Sequence, residues 1–215
     1  MPGAAVAGTE MSAVALDAYW RAARRAQANG CPLPWAVLGG IGRVESGHGT
    51  TRDSEPGPDG TVQPRILGIP LDGSRGTVAI RDTDGGTFDG DVVADRAVGP
   101  MQFIPSTWRT SGADGNGDGT ADPNNLYDAA ASAAGYLCRA AGGAPSPQAI
   151  GNAVFSYNHD WGYVAKVLGI ARGYADVALP GALPGPPVPA APAPAAPTPV
   201  MPTLPEASPA PPPGG

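Results

Sequence analysis

The segment Trp35–Val44 constrains the fold most, because it is almost wholly apolar and yet contains three glycines. Pro34 precedes it and suits the first turn of a helix, and Gly47 follows shortly after its end. A glycine inside a helix costs about 1 kcal/mol relative to alanine. Tolerance of three of them predicts a helix against which another part of the protein packs closely.

Helical patterns recur on both sides of this segment and are joined by short connections. They cover residues 11–29, 105–111, 127–141, 147–159 and 161–177. Residues 51–96 are different, because they are dense in Gly, Asp and Pro, and they predict an irregular insertion with one or two hairpins. We therefore predict a mainly α fold, a compact helical bundle with a small β-hairpin insertion on one side.

The C-terminal part of the chain has another composition. Residues 181–215 hold 14 of the 27 prolines and a single charged residue, Glu206. Such a segment cannot bury enough apolar surface to offset its ordering entropy. We predict a flexible N-terminus over residues 1–10, one folded domain over residues 11–178, and a disordered Pro/Ala-rich tail over residues 179–215.

The overall charge and the rarer residue types exclude several functions. The chain has 13 Lys and Arg against 19 Asp and Glu, a net charge of −6, so a basic surface for nucleic acid is not expected. No apolar window approaches the length of a membrane span. Two histidines and two cysteines do not suit a conventional structural zinc site. The motifs of metalloproteases, serine hydrolases and phosphate-binding loops are absent.

Glu45 is the first candidate for chemistry, because it follows the apolar segment directly. A carboxyl group that emerges from an apolar wall is disfavoured in its ionised form, so its pKa rises. A general acid that works near neutral pH needs such a raised pKa. The alternative is an ordinary glutamate at a helix end that faces solvent or pairs with Arg43. The residues around Glu45 leave both interpretations open.

Two further segments place polar groups among apolar ones. Gln102 lies between Met101 and Phe103, and it needs hydrogen-bond partners if it is buried. Its amide could bind a sugar hydroxyl or acetamido group, or it could hold a carboxyl group in place. Tyr157 and Asn158 end a helical pattern. The alternative for these two is an ordinary helix C-terminus, where Asn often adopts the left-handed conformation.

Taken together, these segments resemble the lytic transglycosylases of bacterial cell-wall turnover, in particular the membrane-bound lytic transglycosylase B family with its lysozyme-like SLT domain. The glutamate motif alone is weak, but four motifs in the family's order are specific. The matching stretches are Leu38–Gly49, Val98–Trp108, Asp128–Leu137 and Val154–Asn158.

The resemblance implies a lysozyme-like catalytic domain in which Glu45 is the catalytic residue. The implied substrate is the glycan strand of peptidoglycan, and we expect a secreted, cell-wall-associated monomer. The first residues do not form a complete signal peptide, so export would need a signal outside this chain or another route. The residues expected to line the saccharide cleft are Gln102, Tyr157 and Asn158, with Met101 and Phe103 as apolar wall and Tyr136 as a further member.

The expected reaction uses one carboxyl group, whereas ordinary glycosidases use two. Glu45 would protonate the oxygen between N-acetylmuramic acid and N-acetylglucosamine, and the muramic acetamido oxygen would stabilise the developing cation. Glu45 would then take the proton of the muramic C6 hydroxyl, which attacks C1. The product is a 1,6-anhydro sugar, and no water is consumed.

Two alternative functions remain open. A hydrolytic muramidase on the same scaffold would use an aspartate of the insertion to activate water, and a calcium-dependent glycan-binding module would not cleave at all. The polar neighbours of the insertion aspartates predict solvated turns, with Asp95 paired to Arg96 to support the turn at Gly99. These aspartates are Asp82, Asp84, Asp89, Asp91 and Asp95.

Residues 114–128 predict a calcium loop. Gly119 stands at position 6 of an EF-hand pattern, but Asn125 replaces the usual bidentate Glu at position 12, so Asp128 would have to close a longer loop. Family members can carry such a site, which supports structural Ca²⁺ of modest affinity, and the alternative is a surface turn without an ion. The oxygen ligands that the pattern predicts are Asp114, Asn116, Asp118, the Thr120 carbonyl and Asp122.

Cys31 and Cys138 are the two cysteines of the chain. In an exported protein we expect them to form a disulfide, which would close a long loop and stabilise the fold by about 3–5 kcal/mol. The alternative is two separate buried thiols that act as small apolar side chains.

Overall fold

The computed structural model describes residues 9–143 and 146–175, so the predicted tail and the first eight residues lie outside the described part of the chain. The described residues form six α-helices and four short strands. The helices are α1 (Ala13–Ala28), α2 (Trp35–Ser46), α3 (Pro105–Ser111), α4 (Leu126–Ala140), α5 (Pro147–Tyr157) and α6 (Trp161–Ala175). The mainly α prediction is confirmed, and the helix ends differ from the predicted ones by about two residues at most.

Side-chain and glycine caps set several of these ends. The Ser12 hydroxyl accepts a hydrogen bond from the Ala15 N–H at the start of α1. The Asn125 side chain does the same for the Tyr127 N–H at the start of α4. Gly47 ends α2 in the left-handed conformation, with φ of 59°. These are common start and stop signals, which explains why the sequence predicts these ends closely.

The insertion between α2 and α3 contains two antiparallel strand pairs. Strands β1 (Glu55–Pro56) and β2 (Val62–Gln63) form a short hairpin. Strands β3 (Leu67–Pro70) and β4 (Arg96–Val98) pair across a much longer excursion. The prediction of one or two hairpins is therefore confirmed, and β4 returns the chain to the helical core directly before the turn at Gly99.

The glycines of α2 allow close helix packing. A Cβ atom at Gly40 would lie 2.5 Å from the backbone oxygen of Val167 in α6, and one at Gly42 would overlap the Tyr19 hydroxyl of α1. A Cβ atom at Gly39 would lie 3.2 Å from the Tyr174 ring. Helix α2 is therefore held between α1 and α6, which confirms the close packing predicted for this segment.

Core packing and one covalent link join the helices. Leu38, Ile41 and Leu137 are almost completely buried. Cys31, in the connection before α2, forms a disulfide with Cys138 of α4, and their Cα atoms lie 6.0 Å apart. The predicted disulfide is therefore confirmed. No helix in the described ranges combines the length and the apolar character that a bilayer span requires.

The structure corrects two predictions about the insertion. Asp95 and Asp89 have exposed fractions of 0% and 5%, so they are buried rather than solvated. Arg96 pairs with Asp91 at 2.9 Å and not with Asp95. The Asp95 oxygens instead accept hydrogen bonds from the backbone N–H and the hydroxyl of Thr83. Short turns can bury a carboxylate when they supply such donors, and a polar composition does not reveal this.

Candidate active site

Glu45 lies one residue before the end of α2, and its side chain is half-buried. Its Oε1 accepts a hydrogen bond from the Tyr163 hydroxyl of α6, with an O–O distance of 2.5 Å. Burial raises the pKa of Glu45 to about 7, although the Tyr163 hydrogen bond and the Lys166 ammonium both lower it. The predicted rise in pKa is thus present, and it leaves Glu45 close to half protonated at neutral pH.

Arg43, the alternative partner predicted for Glu45, pairs with another residue. Arg43 is exposed and forms an ion pair with Glu10. The hydrogen bond of Glu45 goes to Tyr163, a neutral donor. A carboxyl group with a neutral partner can gain and lose a proton more readily than one held by an arginine, because an adjacent positive charge would keep it ionised.

Tyr163 is the site residue that the sequence analysis did not identify. It lies 118 positions after Glu45, near the start of α6. Tyr163 and Val167 are four residues apart and both buried, so they share the face of α6 that packs against α2. The sequence predicts that Tyr163 lies on a helix, but it does not predict which helix packs against that face.

Tyr157 stands beside Glu45 on an aromatic wall. Its hydroxyl donates a hydrogen bond to the Met101 carbonyl at 2.8 Å. Its ring makes edge-to-face contacts with Phe103 and Tyr136, with centroid distances of 5.7 and 5.6 Å. Burial and then the nearby Glu45 carboxylate raise the pKa of Tyr157 well above its ordinary value. Tyr157 is therefore a neutral hydroxyl at any physiological pH.

Met101 and Phe103 support this wall from behind. Their exposed fractions are 0% and 3%, so their side chains belong to the core. The Met101 sulfur lies close to Gly42 of α2, and Phe103 packs edge-to-face on Trp108. Met101 and Phe103 therefore form a buried apolar layer beneath Tyr157.

Gln102 is fixed in an unusual backbone conformation. It has φ of 50°, in the left-handed region that non-glycine residues rarely adopt. Its side-chain amide donates to the Gly99 carbonyl at 2.8 Å, so it closes the turn that connects β4 to α3. Gly99 also has positive φ, and a Cβ atom there would overlap the Pro123 carbonyl. Backbone conformations of this kind cost about 1–3 kcal/mol and cluster at functional sites.

Tyr136 belongs to the same wall, and Asn158 directly follows Tyr157 at the end of α5. Asn158 is exposed and caps the C-terminus of α5, as the alternative of a helix end has it, but its backbone is extended, with φ of −143°, and not left-handed. The Tyr136 hydroxyl donates to the Ser156 carbonyl at 2.7 Å. Tyr136 also borders an open groove of about 610 Å³. The remaining lining of this groove is mostly polar, and it consists of Ser106, Thr107, Thr110, Ser111, Arg139, Ala140 and Ser156.

His48 is a buried neighbour of the site. Its two ring nitrogens lie 3.3 Å from the Tyr19 hydroxyl and 3.0 Å from the Tyr174 hydroxyl. Burial, and then the Arg43 charge, lower its pKa to about 3, so the ring is neutral. His48 links α1 and α6 directly after α2, and it thereby fixes the segment that carries Glu45.

The carboxylates of the insertion accept hydrogen bonds mainly from their own segment. The groups that donate hydrogen bonds to the carboxylates of Asp82, Asp84, Asp89, Asp91 and Asp95 all lie between residues 83 and 96. None of these partners is Glu45 or one of the tyrosines of the wall. Glu45, by contrast, accepts the Tyr163 hydrogen bond, and its charge raises the pKa of Tyr157.

The predicted calcium loop is organised by its own side chains. The Asp114 oxygens accept hydrogen bonds from the Gly117 and Gly119 N–H groups at 2.5 and 2.8 Å. The Asn116 oxygen accepts from the Asp118 N–H, and the Asp118 oxygen accepts from the Thr120 N–H. These turns leave Asp114, Asn116 and Asp118 close to the surface, where their oxygens are accessible.

Asp128 has a different position in this loop. It is fully buried, and its oxygens accept hydrogen bonds from the N–H groups of Gly115, Asn116 and Asp122. Burial raises its pKa to about 6. Asp128 therefore closes the loop through hydrogen bonds to backbone N–H groups. The predicted calcium ligands fit the ion only in part, because the Asp128 oxygens are used in these bonds. Within the described ranges, the three carboxylates that lie within 4.8 Å of one another are instead Asp82, Asp84 and Asp95.

Part of the chain is similar to a known protein family. Residues 94–168 match the family model described as the Transglycosylase SLT domain. Two solved structures of the lytic transglycosylase Slt35 of Escherichia coli are similar in fold, one in complex with bulgecin A and one in complex with calcium. Each is 15% identical and covers 77% of this chain and 75% of that chain, with TM-scores of 0.46 and 0.47. No curated protein matches the chain.

The family match includes the aromatic wall of Phe103, Tyr136 and Tyr157, but it does not include Glu45. Residues 94–168 contain the turn at Gln102, the ring of Tyr157 and the Tyr163 donor, whereas Glu45 precedes them. The structure joins the two parts through the Tyr163–Glu45 hydrogen bond. The similarity is therefore to a transglycosylase SLT domain over residues 94–168, against which α2 places Glu45.

Proposed function

We propose that this protein is a peptidoglycan lytic transglycosylase that cleaves the β-1,4 bond between N-acetylmuramic acid and N-acetylglucosamine. The observation that carries the proposal is the Glu45–Tyr163 pair, a half-buried carboxyl group with a pKa of about 7 on an aromatic wall. The match of residues 94–168 to the Transglycosylase SLT domain supports the substrate class.

Glu45 acts first as an acid. Its Oε1 accepts the Tyr163 hydrogen bond, so Oε2 is the oxygen that carries the proton toward the substrate. This proton passes to the bridging glycosidic oxygen, and the bond to the muramic C1 breaks. The muramic acetamido oxygen stabilises the cation at C1. The apolar surroundings of Glu45 supply the protonated form that this step needs near neutral pH.

Glu45 then acts as a base. Its carboxylate takes the proton of the muramic C6 hydroxyl while the C6 oxygen bonds to C1, and a 1,6-anhydro ring forms. The enzyme recovers its proton, and no water enters. The local hydrogen bonding of the insertion aspartates supports a reaction with one carboxyl group, because a water-activating carboxylate would have to face the same sugar as Glu45.

The mass of the products tests this reaction. Purified peptidoglycan is digested with the protein, and the released fragments are analysed by mass spectrometry. A lytic transglycosylase releases fragments one water lighter than the corresponding hydrolysis products. Fragments that contain the added water identify a muramidase, and binding without release of fragments identifies a glycan-binding module. Either of these results contradicts the proposal.

The same proposal includes the family of the protein, its compartment and its oligomeric state. The four ordered motifs support membership of the membrane-bound lytic transglycosylase B family. The Cys31–Cys138 disulfide is typical of an oxidising compartment and supports a secreted, cell-wall-associated protein. We expect a monomer, and light scattering of the purified chain together with cell fractionation tests these two expectations.

We also propose that the loop over residues 114–128 binds Ca²⁺ as a structural ion. The supporting features are the accessible oxygens of Asp114, Asn116 and Asp118 and the carbonyl of Thr120, which are hard ligands that Ca²⁺ prefers. A chelator should lower the melting temperature, and Asp118→Asn should reduce the part of the calcium effect that belongs to this loop. An unchanged calcium response in Asp118→Asn contradicts this assignment.

A further inference from the structure

A cluster of three carboxylates in the insertion lies apart from the predicted calcium loop. One oxygen each of Asp82, Asp84 and Asp95 lies within 4.8 Å of the other two. Asp95 is completely buried, and Asp82 and Asp84 are half-buried. Carboxylates this close repel one another, and burial strengthens the repulsion because solvent screening is lost. Arg96, next to Asp95, is paired with Asp91, and Arg109 donates its hydrogen bond to the Thr83 carbonyl. Arg81, which directly precedes Asp82, is exposed.

One oxygen of this cluster is left without a partner. Asp84 Oδ1 is buried from solvent and accepts no hydrogen bond from the described residues. The other oxygen, Oδ2, accepts one from the Phe88 N–H at 2.6 Å. Buried polar atoms are nearly always satisfied, and a buried charged oxygen without a partner is especially costly. This orphan oxygen is an observation separate from the clustering, and it indicates a ligand that the polypeptide does not supply.

We propose that Asp82, Asp84 and Asp95 bind a divalent cation, and that the cation is Ca²⁺. Two oxygens that each lie about 2.4 Å from one Ca²⁺ can be at most about 4.8 Å apart, which agrees with the spacing of the cluster. Carboxylates are hard ligands, and Ca²⁺ accepts irregular sets of six to eight oxygens, so water can complete the shell. The ion neutralises the mutual repulsion and gives Asp84 Oδ1 its missing partner.

The site would hold the far end of the insertion against the helical core. Asp82 and Asp84 belong to a turn within the excursion, whereas Asp95 directly precedes β4. Strand β4 in turn leads into the Gly99–Gln102 turn. A bound ion therefore braces the strand that positions the Gln102 turn, and this role does not depend on the proposed glycan chemistry.

Calcium binding by the full chain tests the proposal. Equilibrium dialysis with radioactive calcium, after removal of metal, measures the number of ions bound to the wild type, to Asp84→Asn and to Asp82→Asn. Asp118→Asn is the matched control, because it alters the other loop. We expect the two insertion variants to bind one Ca²⁺ fewer than the wild type, and we expect Asp118→Asn to retain the insertion ion.

Thermal unfolding gives a second readout, because the difference in melting temperature between Asp84→Asn and the wild type should change sign when calcium is added. Without calcium, Asp84→Asn should melt at a higher temperature than the wild type, because it removes one charge from the cluster. With calcium the order should reverse, because the wild type alone gains the insertion ion. Equal calcium stoichiometry and equal calcium-induced shifts in both insertion variants and the wild type overturn the proposal. A site that Mg²⁺ fills in preference to Ca²⁺ overturns the choice of ion.

Discussion

In two regions of this molecule, the surroundings of acidic side chains have opposite effects on the pKa values of those side chains. Glu45 in the helical core has apolar surroundings and one neutral donor, and its pKa rises to about 7. Asp82 and Asp91 in the insertion accept hydrogen bonds from several backbone N–H groups, which hold their pKa values below the usual range. At Glu45, burial with a single donor favours the protonated form, whereas at Asp82 and Asp91 the backbone N–H donors favour the ionised form.

This difference assigns separate tasks to the two regions. A proton donor near neutral pH can come from the core, because Glu45 is partly protonated there. The insertion keeps Asp82 and Asp91 ionised, and it can therefore supply negative charge but few protons. Substitutions in the two regions and in the helices that join them test this division.

Glu45→Gln should reduce the release of soluble peptidoglycan fragments by about 10²–10⁴-fold, because it removes the proton donor and keeps the shape. The control is Asp91→Asn in the insertion, which should retain most of the wild-type rate. Chromatography of released fragments measures both variants. Comparable losses in the two variants would show that the core carboxyl group has no special role.

Replacement of Cys31 and Cys138 by Ser should lower the free energy of unfolding by about 3–5 kcal/mol, because the unfolded chain then gains the entropy of an open loop. Urea unfolding under non-reducing conditions measures this loss. A reducing agent should destabilise the wild type and leave the double variant unchanged. Equal stability of the two proteins would mean that the core does not depend on its covalent link.

Gly40→Ala should destabilise the protein by about 1–3 kcal/mol, because the new Cβ meets the Val167 backbone, which cannot move away easily. Gly169 in α6 is the matched control, since a Cβ atom there meets nothing within 4 Å. Gly169→Ala should stabilise the protein by up to about 1 kcal/mol. Thermal unfolding distinguishes the two variants, and a neutral Gly40→Ala would contradict the close packing of α2 and α6.

Tyr163→Phe should move the pH dependence of activity upward. The wild-type rate should fall as the pH rises through about 7, because Glu45 then loses the proton that it donates. The Tyr163 hydrogen bond lowers the pKa of Glu45, so its removal should shift this fall to higher pH. Rates of fragment release across the neutral range measure the shift. A fall at lower pH in Tyr163→Phe would contradict the assigned hydrogen bond.

The features that the sequence predicted correctly depend on local signals. The ends of α2 follow from Pro34 and Gly47, and its close packing follows from the cost of its glycines. The raised pKa of Glu45 follows from its apolar neighbours along the same helix. Each of these inferences uses residues within one or two helical turns of one another.

The features that the sequence did not predict depend on tertiary contacts. Tyr163 reaches Glu45 only because α6 packs across α2, and no local pattern specifies that pairing. The burial of Asp95 depends on a turn that brings Thr83 to it across the insertion. The sequence predicted that Asp128 closes the loop over residues 114–128, but it did not predict that the backbone N–H groups of residues 115 and 116 hold its oxygens.

Titration of the Glu45 carboxyl group tests the central claim most directly. Carbon-13 NMR of protein labelled at the glutamate carboxyl carbons, with Glu45→Gln to assign the resonance, measures its pKa in the folded protein. We predict a pKa of about 7, so that the group is still largely protonated at mildly acid pH. A pKa near the ordinary value of 4.5 would leave no proton donor in the core at neutral pH and would contradict the proposed reaction.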